Sequence, residues 1–250
     1  MDVTERFSNR AQYYANFRPG YPRQVLETMR RECGLTPKSV IADVGCGTGL
    51  LARQLCSNGN IVYGVEPNPA MLEEAKKLLL DCATFVPVHG RAEATSLKAG
   101  LVDIITVAQA FHWFHVQEAR REFERILKPK GWVVLLRNER RTEASAFNKD
   151  YEQLLMRFGV DYHQVRARNK ESLPEFFGKD GFKKTQFRNP QLLDRNGLTG
   201  RILSASYIPQ RGHENYPPML GAIDNLFDEH QKNGVVKLEQ DTRMFYGHLT

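Results

Sequence analysis

No apolar run in the sequence approaches the roughly 20 residues that a membrane-spanning helix needs. The amino-terminal stretch, MDVTERFSNRAQYY, is polar and carries acids, so it lacks the apolar core of a secretory signal. Cysteine is scarce. Cys33, Cys46, Cys56 and Cys82 fall in no metal-ligand spacing and suggest no disulfide framework. The expectation is a reduced, cytoplasmic protein with no membrane insertion and no metal. There is also no long block of one charge. The 35 basic residues outnumber the 29 acidic ones to give a net charge of +6. They are scattered, and the densest cluster, RNERR at 137–141, is interrupted by an acid. That pattern argues against a nucleic-acid partner. Internal repeats and low-complexity linkers are missing too. A single domain over residues 1–250 is the expectation.

What the sequence does contain is an alternation of strand and helix signals. SVIADV (39–44), NIVYGVE (60–66), ATFVPVH (83–89), LVDIITVAQA (101–110) and WVVLLR (132–137) read as strands. Pro87 makes 83–89 an edge strand, because proline cannot donate to a ladder. The nearly continuous apolar run at 101–110 suits a central strand buried on both faces. Between them, 50–56, 70–81 and 117–127 read as helices, with Asn68 as N-cap and Pro69 at the first helical position. Such alternation predicts a doubly wound α/β sheet. Past about residue 140 the spacing predicts helices over 144–158 and 217–232 and strands over 181–188 and 235–247, with irregular stretches between. The expected layout is an N-terminal helical lid (1–36), a ligand-binding core (37–140) and a C-terminal part (141–250) that completes the sheet and covers the site.

The first strand runs directly into DVGCGTG, residues 43–49. Gly45, Gly47 and Gly49 permit a sharp turn and a close approach of backbone to ligand. A dinucleotide fingerprint would need glycine at the sixth position of the motif, where Leu50 stands. A phosphate loop would need Gly-Lys-Ser/Thr, which is absent. The turn therefore suits a nucleoside ligand without a pyrophosphate. Glu66 ends the second strand about 20 residues on, where a ribose-binding acid is expected. Met71 follows one helical turn later and can pack its sulfur against a base.

These blocks resemble a known family. VIADVGCGTGLLARQL, VYGVEPNPAMLEEA, GRAEATSL, VDIITVAQAFHWF and RILKPKGWVVLL stand in the order and spacing of class I S-adenosylmethionine-dependent methyltransferases, over roughly residues 39–137. FSNRAQYYANFRPGYP, AQAFHWF, GRILSASYIPQ and LEQDTRMFYGHL are similar to the trans-aconitate methyltransferase-like, small-molecule branch. The resemblance implies a Rossmann-like α/β fold with a seven-stranded, mostly parallel sheet and helices on both faces. It implies S-adenosyl-L-methionine as cofactor and S-adenosyl-L-homocysteine as product. The methionine part would lie over Gly45, Cys46 and Gly47, near Asp43, with Gly49 completing the turn. Glu66 would hold the ribose, Pro67 and Met71 would flank the adenine, and Ala92 and Glu93 would meet its edge. Gln109 would sit near the sulfonium. Arg18, with Tyr13 or Tyr14, would close the site and pair with the cofactor carboxylate.

FHWFH (111–115) follows the fourth strand, where the methyl group would emerge. His112 is a candidate general base or a pocket-shaping residue. Trp113, Phe114 and Tyr21 are candidate pocket walls. A zinc pair of His112 with His115 lacks further ligands. An Asn/Asp-Pro-Pro-Tyr/Phe motif is absent from this position, which AQAF occupies, so nucleobase and glutamine amino groups are disfavoured acceptors. A carboxylate acceptor needs no base, and Arg137 and Arg211 are candidate anchors for one. A phenol, amine or carbon acid would need a base. The leading expectation is O-methylation of a small molecule by a monomer or homodimer. The alternatives are a cofactor-binding protein without catalysis, an RNA or protein methyltransferase, and a nicotinamide oxidoreductase, which Leu50 opposes.

Overall fold

The computed structural model describes residues 8–164, 173–178 and 181–249. Its strands are β1 (Val40–Val44), β2 (Ile61–Glu66), β3 (Phe85–His89), β4 (Val102–Ala108), β5 (Leu127–Arg140), β6 (Phe182–Arg188), β7 (Gln191–Leu193), β8 (Val236–Leu238) and β9 (Gln240–Gly247). Seven of them form one sheet in the order β3-β2-β1-β4-β5-β9-β6. The neighbours from β3 to β5 are parallel, and β9 is antiparallel to both β5 and β6. The strand order reverses between β1 and β4, which creates a crevice at the carboxyl ends of those strands. Strand β3, with Pro87, is one edge and β6 the other.

The helices are α1 (Ala11–Phe17), α2 (Gln24–Cys33), α3 (Leu50–Ser57), α4 (Pro69–Leu78), α5 (Val116–Ile126), α6 (Ala146–Phe158), α7 (Leu173–Phe177), α8 (Arg195–Leu203) and α9 (Tyr216–His230). The period-2 alternation of the strands sorts the core into two layers. Ile41, Ile104, Val134 and Leu136 pack with Val25 and Met29 of α2 and with Leu51 and Leu55 of α3. Ala42, Ile105, Val133 and Leu135 pack on the opposite face with Phe123 and Ile126 of α5 and Phe176 of α7. Within the expected N-terminal lid, α2 is thus a layer of the core. A third cluster unites Tyr151 and Leu155 of α6, Leu198 and Ile202 of α8, and Met219 and Ile223 of α9. That cluster gives the C-terminal part a core of its own.

Four local features differ from the sequence reading. Strand β5 starts at Leu127, directly after α5, and absorbs the KPKG segment as an irregularity. Lys130 there takes a positive φ of 64°. The expected strand 235–247 breaks at Glu239. The Asn148 side chain grips the break, accepting the Glu239 N–H at 3.1 Å and donating to its carbonyl at 2.8 Å. Strand β8 then pairs with β7 in a separate ribbon. Helix α8 lies in a stretch expected to be irregular. Gly197 and Gly200 weaken its helical signal, and Asp194 starts it by accepting the Gly197 N–H at 2.6 Å. Among the described residues, no helix is long and apolar enough to cross a membrane.

Candidate functional site

The glycine turn after β1 is held by the Gly45 and Cys46 amides, which donate to the Val65 carbonyl at 2.8 and 3.1 Å. Gly45 and Gly47 lie in the left-handed region, with φ of 68° and 57°. A Cβ on Gly45 would stand 2.5 Å from the Ala110 Cβ, so any side chain there would push away the segment after β4. Gly49 serves the back of the turn. It precedes the first residue of α3, and a Cβ on it would stand 2.7 Å from Leu79, the residue that caps the end of α4.

Glu66 is buried at the end of β2. One carboxylate oxygen accepts the Gly47 N–H and the other the Asn68 N–H, each at 2.9 Å. Burial raises its pKa, and these two amides oppose the rise by favouring the anion. Each oxygen keeps lone-pair capacity for a ligand hydroxyl. Asn68 in turn caps α4 by accepting the Met71 N–H at 3.0 Å. Asp43 lies below the turn and accepts the Thr106 hydroxyl at 2.8 Å. Burial pushes its carboxyl up to about 7, with the Thr106 bond opposing and the nearby Glu66 charge adding. Asp43 Oδ2 and Thr48 Oγ1 are buried without a well-formed partner among the described residues.

These groups open onto a cleft of about 790 Å³ at the carboxyl ends of β1, β2 and β4. Of the residues singled out in the sequence, Tyr14, Gly45, Gly47, Glu66, Pro67, Met71, Ala92, Glu93, Gln109, Trp113 and Phe114 line it together. Asn68, Arg91, Ala108 and Ala110 also line it and were not foreseen. Their positions flank the motif residues, but nothing in their residue types marked them out. A contiguous recess of about 440 Å³ shares Tyr14, Gly45, Gly47, Ala108 and Gln109. It adds Arg18, Tyr21, Cys46, Thr48, Asn138 and Arg201, the last three unforeseen.

Arg18 is tied to α8, donating to the Ser204 hydroxyl at 2.9 Å and the Ser204 carbonyl at 3.1 Å. Its guanidinium lies 4.9 Å from the Tyr14 ring centroid. Tyr14 therefore faces the site, while Tyr13 is exposed and stacks on Phe17. Burial pushes the Tyr21 phenol and the Cys46 thiol upward, which leaves Cys46 an inert thiol. Gln109 holds a φ of 61°, strained for a non-glycine residue, at the end of β4. Its side chain donates to the Asn138 carbonyl at 3.1 Å.

Three anticipated residues stand apart. His112 lies against Trp113, with ring centroids 4.6 Å apart, and lines an adjoining recess of about 280 Å³ together with Arg137; this recess meets the cleft at Gln109 and Ala110. Arg137 and Asn138 are neighbours on β5 and so point to opposite faces. Asn138 reaches the site, while Arg137 pairs with Glu139 at 3.1 Å. Arg211 is exposed and lines none of these pockets. Among the described residues, the group able to hold a metal ion is Asp150, Glu229 and His230, none of which lines the cleft; His112 and His115 are not part of it.

An adenosine carrying an amino acid fits these walls. The buried acid Glu66 and the apolar Pro67, Met71, Ala92 and Phe114 suit a ribose and a base. The glycine turn leaves room for the thioether chain, and the arginines of the adjoining recess suit a carboxylate.

Comparison with known proteins agrees with this geometry. Residues 42–135 match the methyltransferase domain family. The chain is 35% identical over 130 residues to an uncharacterized methyltransferase of Schizosaccharomyces pombe, a stretch covering 51% of this chain and 50% of that protein. It thus spans about half the length of that curated relative. It is 29% identical over 208 residues to an uncharacterized methyltransferase of Mycobacterium bovis, covering 82% of this chain and 79% of the relative. The fold also superposes on phosphoethanolamine N-methyltransferase 2 of Haemonchus contortus, bound to phosphomonomethylethanolamine and S-adenosylhomocysteine. The TM-score is 0.57 at 18% identity, over 98% of this chain and 58% of that one. The chain has the Rossmann-like fold of these methyltransferases, and residues 42–135 match the methyltransferase domain model.

Proposed function

We propose that this protein transfers a methyl group from S-adenosyl-L-methionine to a small-molecule acceptor, at an oxygen nucleophile such as a carboxylate, and releases S-adenosyl-L-homocysteine. The observation that supports this reading is the convergence of the glycine turn, Glu66, Met71 and Gln109 on one cleft. When bound, the cofactor supplies a methyl group already made electrophilic by its sulfonium.

The chain's residues bind and orient. Glu66 accepts both ribose hydroxyls. Pro67 and Met71 flank the adenine, and Ala92 and Glu93 meet its edge. Gly45, Cys46 and Gly47 pass under the methionine chain, with Asp43 and Gly49 fixing the turn. Arg18 pairs with the cofactor carboxylate, and Gln109 stands beside the sulfonium. Tyr14, Tyr21, Trp113 and Phe114 wall the reacting region from water. Alignment of this kind contributes on the order of 7–11 kcal/mol to lowering a barrier. A carboxylate acceptor is ionised before it arrives, so no base is required. The position of His112 outside the cleft favours that economy. The trans-aconitate methyltransferase-like branch, with its small carboxylate acceptors, and a cytoplasmic location belong to the same reading.

The test is transfer of label from methyl-labelled S-adenosylmethionine to a small-molecule extract and a panel of polycarboxylates, followed by mild alkali. Label released as methanol is the expected result and identifies a methyl ester. Label stable to alkali would replace the carboxylate with an ether, amine or carbon acceptor. Absence of both transfer and S-adenosylhomocysteine binding would overturn the reading.

A further inference from the structure

Arg201, on α8, is 3% exposed yet lines the recess beside the cleft. Its Nε donates to Gln191 Oε1 at 3.1 Å. Among the described residues, that is the hydrogen bond its side chain makes, and no carboxylate pairs with it. Two other sheltered arginines have more partners, although Arg140 Nε is left without one. Arg140 pairs with Glu152 at 3.3 Å and donates to the Tyr162 hydroxyl at 2.7 Å. Arg10 donates to the carbonyls of Ala205 and Ile208. A buried guanidinium with most of its donors unused is costly unless an anion completes it. Burial, with the neighbouring Arg18 charge adding, lowers the Arg201 pKa to about 10, the mark of a cation held without a counter-ion.

The charge of the recess points the same way. Its lining holds two arginines, Arg18 and Arg201, and no aspartate or glutamate. The cofactor does not balance them. Its carboxylate is offset by its own ammonium, and the sulfonium leaves it with one positive charge overall. Bidentate contact with one guanidinium uses both oxygens of the cofactor carboxylate. An anion on the acceptor would complete the other arginine.

Resting on the reading that the cleft binds S-adenosylmethionine, we infer that Arg201 binds a carboxylate of the methyl acceptor, beside the cofactor carboxylate on Arg18. The rigid fork of Arg201 suits bidentate contact with a planar carboxylate. Gln191 orients it, since the same side chain donates to the Phe17 carbonyl at 3.3 Å and so ties α8 to the end of α1. Gln109, Tyr14 and Asn138 line the same recess and offer further polar contacts.

The test is calorimetric titration of the full chain, wild type, Arg201→Gln and Arg201→Lys. The probes are S-adenosylhomocysteine, methylthioadenosine (which lacks the amino-acid group), and then acetate, glutarate and citrate added to protein saturated with S-adenosylhomocysteine. The expected result has three parts. A carboxylate probe binds the saturated wild type; Arg201→Gln weakens that probe at least tenfold, with Arg201→Lys between; and S-adenosylhomocysteine affinity stays within about twofold. Two results would overturn the assignment. One is tenfold weaker S-adenosylhomocysteine with methylthioadenosine unchanged, which would give Arg201 to the cofactor carboxylate. The other is no carboxylate binding to the saturated wild type. Failure of the wild type to bind S-adenosylhomocysteine at all would instead sink the methyltransferase reading. The wild-type titration needs no variant to fold.

Discussion

The Phe17 ring of α1 occupies the space that a Cβ on Gly200 of α8 would fill, with ring carbons 2.3 to 2.5 Å from that position. This contact seats α1 on the cover and holds Arg18 beside Ser204 and near Arg201. Gly200→Ala forces the two helices apart. Overpacking of this kind costs about 1–3 kcal/mol. The expected outcome is a lower thermal midpoint together with weaker S-adenosylhomocysteine binding by calorimetry. Unchanged values in both would show that α1 does not depend on this seat.

Glu66 meets two backbone amides, so its substitution acts on the turn as well as on the proposed ribose contact. Glu66→Gln presents an amide donor to one of those N–H groups and removes the charge. Hydrogen bonds to charged groups contribute about 1.5–3 kcal/mol each. S-adenosylhomocysteine should bind at least tenfold more weakly. An affinity within threefold of wild type would remove Glu66 from ribose recognition.

The pH dependence follows from Asp43. Its carboxyl is raised from 3.8 to about 7 in the folded chain. A raised value favours the folded state below the unfolded pKa, and that contribution is lost as pH climbs through about 7. Glu66 is shifted in the same direction. Asp43→Asn cannot ionise and keeps an acceptor for Thr106. The unliganded wild type should therefore lose thermal stability relative to this variant as pH rises from 5 to 8. Parallel curves for the two proteins would contradict the shift.

Gln109 carries strain of about 1–3 kcal/mol at its left-handed backbone. Gln109→Gly should relieve part of it, so urea denaturation should show equal or higher stability while methyl transfer falls. Lower stability with full transfer would mean that the conformation serves folding alone.

His112→Ala offers a contrast with Trp113→Ala. The Trp113 side chain lines the cleft and His112 lines the neighbouring recess. Label transfer should stay within about threefold for His112→Ala and drop at least tenfold for Trp113→Ala. A collapse of transfer in the His112 variant, rescued at high pH, would restore it as a base.

The sequence made strands β1 to β5 legible, because period-2 apolar strands, caps and glycine turns are local signals. It also marked Glu66, Met71 and the glycine turn, since their chemistry is tied to the end of a strand or the start of a helix. The walls around Gln109 were set by tertiary packing. Strand parity on β5 turned Asn138 inward and Arg137 away. The single helical turn Phe111–Trp113 set Trp113 and Phe114 on the cleft and His112 on the adjoining recess. The break at Glu239 came from Asn148, 91 residues distant in the chain. Arg201 sits in a glycine-weakened helix, and its value as a buried cation exists only because α1 and α8 meet over the sheet. Those choices depend on long-range packing, which no local pattern records.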